Sequence, residues 1–183
     1  MRIRKARNSD EVTLMEILDE SPDVEFGEHS FRSKEFYVVE DGSDIAGFLR
    51  VRRNKVEDSS WFELTSLYLE ELDSVTVNEL METVVSDLEE LGVSRLYAFD
   101  SDPYFYRDHD FVSVDADSCT GELLSRRVDK AENLSYDEEE LDVFRLTVEE
   151  YTGTSQQREQ DIEGEKEAQG FSDDDNVTTK YST

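Results

Sequence analysis

Few side chains in this sequence have the type and spacing that chemistry requires. The two histidines, His29 and His109, stand far apart, and neither has a second ligand candidate at metal-binding spacing. Asp115-Ala116-Asp117 and the three aspartates Asp173, Asp174 and Asp175 offer oxygen to a hard cation, but neither group completes a calcium loop. No metal site is expected. Cys119, the single cysteine, has no base beside it and reads as an inert thiol. No phosphate-binding P-loop and no nucleophile elbow occurs. Asn133-Leu134-Ser135 and Asn176-Val177-Thr178 match the glycosylation pattern, which matters only to a secreted chain. Two basic segments, 2–7 (Arg2, Arg4, Lys5, Arg7) and 50–55 (Arg50, Arg52, Arg53, Lys55), could dock an acidic surface. They could equally pair with local carboxylates, which contributes little at an exposed site.

The composition narrows the field further. The chain has 183 residues, with 47 acids against 19 bases and a net charge of −28, so a general nucleic-acid-binding role is excluded by repulsion from phosphate. No apolar run is long enough to cross a membrane. The basic N-terminus is followed by no apolar stretch of the kind a secretory signal needs, so a cytoplasmic location, or incorporation in a virion or other large assembly, is expected. One cysteine excludes a disulfide framework and fits a reducing interior. Eighteen Phe and Tyr residues argue against an acidic disordered chain. Folded proteins this acidic suit molar salt, where a Debye length of about 3 Å screens self-repulsion. A haloarchaeal protein, or one from a virus of such a host, is the source expected. Circular dichroism across a KCl series tests this: the fold should loosen in dilute buffer, and full stability there would refute the reading.

The elements that would position a site follow from periodicity. Residues 1–6 alternate like a strand, Ser9 can cap a helix carrying Val12, Met15, Ile17 and Leu18, and Pro22 ends it, with a short link over 24–31. Residues 36–40 and 45–51 form a hairpin about Asp41-Gly42, and 61–69 form a further strand. Thr76-Val77-Asn78-Glu79 has capping-box spacing, and Leu80, Met81, Val84, Val85, Leu88 and Leu91 then recur at helical intervals until Gly92. Strands at 95–99 and 111–114, a short helix at 103–109 and a last strand at 123–128 complete a first domain, 1–128. Residues 129–183 hold 17 acids and 5 bases. Within them, 129–150 reads as an acidic connector with a possible strand at 141–149. The stretch 151–183 reads as a tail that is disordered or ordered by a partner.

This order resembles the GNAT superfamily of N-acetyltransferases. Phe36-Tyr37-Val38-Val39-Glu40-Asp41-Gly42 through Ile45-Ala46-Gly47-Phe48 is similar to the family's central hairpin. Glu63-Leu64-Thr65-Ser66-Leu67-Tyr68-Leu69 with the long helix and Leu91-Gly92-Val93 is similar to its cofactor-binding strand, loop and helix. Phe105-Tyr106-Arg107-Asp108-His109-Asp110-Phe111 resembles its late helix end, with Asp110 where the family has glycine. The implied fold is α/β (α+β), a mixed, mostly antiparallel sheet of about seven strands flanked by helices, plus the acidic C-terminal tail. The resemblance implies Tyr106 as the proton donor to a departing thiolate and Glu63 as a general base. It also implies Leu67, Tyr68, Leu69, Ser74, Val75 and Thr76 as the contacts of acetyl-CoA.

The loop itself departs from the family pattern. Glu70-Glu71-Leu72-Asp73-Ser74-Val75-Thr76 contains no glycine and no base where backbone N–H groups should surround a pyrophosphate, and three carboxylates stand there instead. On that ground no cofactor is expected. The function expected is a non-catalytic binding or assembly module, such as a structural component of a haloarchaeal or haloviral complex. It would associate with a protein partner or itself through the tail 129–183 and the basic segments 2–7 and 50–55. The alternative is an active acetyl-CoA-dependent N-acetyltransferase acting on a small amine or a protein amine.

Overall fold

The computed structural model describes residues 1–21, 31–56, 59–69 and 72–153. One sheet runs through all of them, built from β1 (Arg2–Lys5), β2 (Phe36–Asp41), β3 (Asp44–Val56), β4 (Ser59–Tyr68), β5 (Arg95–Asp100), β6 (Val112–Val114) and β7 (Asp142–Thr147). The spatial order is β1-β2-β3-β4-β5-β7-β6, and every neighbouring pair is antiparallel except β4 with β5. Four helices cover it: α1 (Glu11–Glu20), α2 (Ser74–Glu90), α3 (Tyr104–Asp108) and α4 (Gly121–Leu134). The link expected at 24–31 lies, except for Phe31, outside the described residues, as does the tail from 154 onward.

The hydrophobic pattern dictates which face each helix takes. Leu80, Met81, Val84 and Leu88 put the apolar stripe of α2 onto Tyr37, Leu49, Leu64, Leu96 and Phe144, and α3 adds Tyr106 to that cluster. The opposite face is shared. There α1 buries Leu14 and Leu18 against Phe36, Val38 and Phe48, while α4 sets Leu123 beside Phe99 and Val143. In α1 the residue expected inside, Val12, is 68% exposed, and Leu14 takes the core position. The end of α2 is as read: Gly92 has φ +70° and Val93 N–H reaches back to the Leu88 carbonyl.

Three sequence expectations are corrected. The cap of α2 is Asp73, whose carboxylate accepts from Thr76 N–H at 2.8 Å, so Thr76 lies in the first turn rather than before it. Residues 123–128 are not a strand but the first half of α4, an amphipathic helix whose inward positions include Arg126 and Lys130. The boundary expected after Val128 therefore falls inside α4. The strand expected beyond it is β7, which lies between β5 and β6, so residues 129–147 belong to the sheet-bearing unit and are no connector.

Strand alternation also divides the two basic segments between faces. Arg4 pairs with Asp10 and Glu40 at 2.7 and 2.8 Å, and Arg50 pairs with Glu35 at 2.9 Å above the Phe36 ring, both on the α1 side. Lys5 points the other way, to Asp87 of α2 and over the Tyr37 ring. Each segment therefore splits its bases between the two faces.

Candidate functional site

The parallel pair β4–β5 is the point at which the sheet opens. Its pairing is confined to Phe62, Glu63 and Leu64 against Leu96, Tyr97 and Ala98. Next along β4 the register with β3 shifts: Arg50 faces Ser66 and Val51 faces Leu64, leaving Thr65 as the extra residue of a bulge. A bulge bends the strand that carries it. Past this point the strand ends bound a cleft of about 570 Å³. Leu67 and Tyr68 of β4, Asp100 of β5 and Asp102 just beyond line it, with Ile17 of α1 and Lys130 of α4 above.

Lys130 holds the parting in place. Its Nζ, nearly buried, donates to the Phe99 carbonyl at 2.7 Å and to the Thr65 carbonyl at 3.4 Å, one on each strand. The ammonium thus bonds to both strands just past the end of their own pairing. One turn earlier on α4, Arg126 grips Glu63 with Nε and Nη2 at 2.9 to 3.1 Å. Asn54 Nδ2 adds a bond to Glu63 Oε2 at 3.0 Å. Glu63 is fully buried and does not line the cleft. Both its oxygens are engaged in holding α4 to the sheet, an arrangement unlike that of a base poised to take a proton.

Tyr106 stands on the other side of the opening. Its ring stacks on Phe144 at 4.5 Å between centroids and meets Phe111 edge-on, and its hydroxyl donates to Asp100 Oδ2 at 2.8 Å. Asp100 Oδ1 in turn accepts from Asp102 N–H at 3.0 Å. Burial, and then the Asp100 carboxylate, hold the phenol well above its ordinary pKa, so it keeps its proton. Tyr106 is thus packed under the sheet, and Asp100, which takes its hydrogen bond, lines the cleft. Asp110, at the family's glycine position, has φ +62° and accepts from Thr152 N–H and Oγ1. Aspartate tolerates this left-handed conformation better than most residues, and here its carboxylate also ties down the end of the described chain.

The implied cofactor contacts are distributed unevenly. Leu67 and Tyr68 line the cleft, while Leu69 packs on the main core. Ser74 and Val75 are exposed in the first turn of α2, and Thr76 is buried. The amide of Thr76, which an anion at this helix end would use, is already bonded to Asp73, and its hydroxyl donates to the same carboxylate at 3.2 Å. Those bonds hold the Asp73 carboxyl below the usual range. Glu70 and Glu71 lie outside the described residues. Sequence reasoning missed Asp100, Lys130 and the capping role of Asp73. An aspartate three residues before a threonine at the head of an apolar-periodic run was a legible signal for the cap, but nothing local marked Lys130. Among the described residues no three His, Cys, Asp or Glu side chains converge as metal ligands, and no helix is long and apolar enough to cross a membrane. The thiol of Cys119 is pushed up by burial.

No family model and no curated protein matches the sequence. Solved structures do match. N-acetylglutamate synthase from Neisseria gonorrhoeae, complexed with coenzyme A and N-acetyl-glutamate, superimposes with a TM-score of 0.57 at 18% identity over 80% of this chain. This chain spans only 35% of that enzyme's length. A Mycobacterium tuberculosis protein in complex with CoA and NLQ gives 0.56 at 15% identity, covering 80% of this chain and 99% of the other. An N-acyl amino acid synthase from uncultured soil microbes gives 0.57 at 10%, covering 82% and 97%. At such identities the likeness speaks for architecture alone, and together with the strand order it establishes that this chain has the GNAT fold.

Proposed function

We propose that this chain is an N-acyltransferase that takes an acyl group from an acyl-CoA-type thioester and delivers it to an amine at the β4–β5 cleft. The observation that carries the reading is Asp100, which lines a cleft made by parting parallel strands and accepts from the buried Tyr106 hydroxyl behind it, in a fold whose solved neighbours include coenzyme A complexes. Tyr106 keeps its proton on the bond to Asp100, and to protonate a departing thiolate its hydroxyl turns from that carboxylate to the sulfur and becomes a phenolate. Leu67 and Tyr68 supply the wall along which a thioester arm can lie. Lys130 ties the two strands together at the cleft through the Thr65 and Phe99 carbonyls.

The far end of coenzyme A fits less well. Its diphosphate would need the N–H groups at the head of α2, where Asp73 already supplies the anion. If the donor binds, its phosphates bind elsewhere or displace Asp73, and no step is assigned to them. That same observation favours a second reading, a GNAT-fold domain without catalysis that serves as a binding or assembly module.

Calorimetric titration of acetyl-CoA into the whole chain in about 2 M KCl, where charge repulsion is screened, separates the two. The transferase reading expects micromolar binding. No heat at millimolar ligand, with no shift in melting, would reject it in favour of the second. Asp73→Asn keeps a capping side chain and removes its charge, so it should tighten acetyl-CoA by about tenfold if the diphosphate lies at α2. An unchanged affinity would place the diphosphate away from that helix.

A further inference from the structure

The strongest feature outside the cleft lies on the other face of the sheet, beside the C-terminal end of α2. A groove of about 450 Å³ has an apolar floor that includes Tyr37, Phe62 and Leu88, with Leu91 at its edge 69% exposed. Among the described residues four bases line it, Lys5, Arg32, Lys34 and Arg53, against one carboxylate, Glu35. Glu35 is itself held by Arg50 and approached by Arg32, and Asp87 just outside the groove pairs with Lys5. A second hollow shares Arg53, Phe62 and Leu91 and adds Arg95, which extends the same basic, apolar strip along the sheet end. In a chain of net charge −28, a basic concavity with an aromatic floor is an outlier, and its complement is an acidic segment with an aromatic anchor.

The chain carries such a segment. Residues 171–175 read Phe-Ser-Asp-Asp-Asp, one aromatic followed by three acids. The described chain ends at Gly153, which lies against Glu82 of α2. From Glu82 to Leu91 along that helix is about 14 Å at 1.5 Å per residue. Seventeen residues lie between Gly153 and Phe171, and the eighteen steps span about 60 Å when extended. We propose that residues 171–175 of this chain dock in the groove of the same molecule, with Phe171 on the apolar floor and Asp173, Asp174 and Asp175 against Lys34, Arg53 and their neighbours. The groove and the transferase cleft are on opposite faces, so the docking stands independently of any acyl-transfer activity.

Paramagnetic relaxation on the full-length chain tests it. Cys119→Ser and Ser172→Cys place a single spin label beside the anchor, at the lowest ionic strength at which the native spectrum is kept, so that the acid–base contacts are not screened. The expected result is that amide signals of Lys5, Phe62 and Leu91 lose more than half their intensity and recover when the label is reduced. Phe171→Ala, or Lys34→Glu with Arg53→Glu, should remove the broadening while leaving the melting temperature and the remaining spectrum unchanged. Undiminished groove signals in the labelled chain overturn the proposal. So does broadening that appears only when labelled chains are mixed with isotope-labelled, spin-free ones, which would assign the groove to the tail of a second copy.

Discussion

Arg126→Met is expected to lower the unfolding free energy by about 3–5 kcal/mol, the cost of leaving a buried carboxylate without its partner. Glu63 is fully buried, and its two oxygens take three bonds from the Arg126 guanidinium. Removing the arginine leaves Asn54 as the sole described donor to that charge among those that the hydrogen bonds above identify. The damage should spread to the cleft, because α4 also carries Lys130, whose ammonium joins β4 to β5 at the Thr65 and Phe99 carbonyls. The companion variant Glu63→Met/Arg126→Met removes both charges and should recover most of the loss, since buried ion pairs often match well-packed apolar residues in stability. Urea unfolding of the three proteins at one high salt concentration makes the comparison. A single mutant as stable as the wild type would mean that α4 is not held as described.

Tyr106→Phe is expected to lower turnover by about 10²–10⁴-fold under the transferase reading, the range a positioned general acid supplies. The ring stack on Phe144 and the edge contact with Phe111 survive the change, so stability should fall by only about 1 kcal/mol for the lost bond to Asp100. The effect should fall on kcat and leave KM nearly unchanged, because the hydroxyl acts on the departing group and not on the bound donor. Since burial and Asp100 hold the phenol well above its ordinary value near 10, Tyr106 should contribute no alkaline limb to the wild-type rate below about pH 10. Equal turnover in the variant would remove Tyr106 from the chemistry and leave its role to packing.

Much of the frame is legible without coordinates, wherever the signal is local. Asp41-Gly42 between two β-rich runs makes the hairpin of β2 and β3, and Gly42 takes φ +65° in the turn. The apolar repeat from Leu80 to Leu88 makes α2, and Gly92 ends it. In each case residues within one turn or one hairpin of each other decide the outcome.

The acid excess, the apolar stripe of α2, the hairpin and the general GNAT order were thus set by the sequence itself, through periodicity and turn chemistry. The identity of α4 and the state of Glu63 were decided by tertiary structure. Two of the inward positions of α4 are Arg126 and Lys130, so a reading that looks for apolar residues at helical spacing finds no stripe. Those charges are buried because Glu63, Thr65 and Phe99 wait for them 31 to 65 positions away in the chain. A buried charge is stable only with its partner, and which partner it meets depends on how β4 and β5 part.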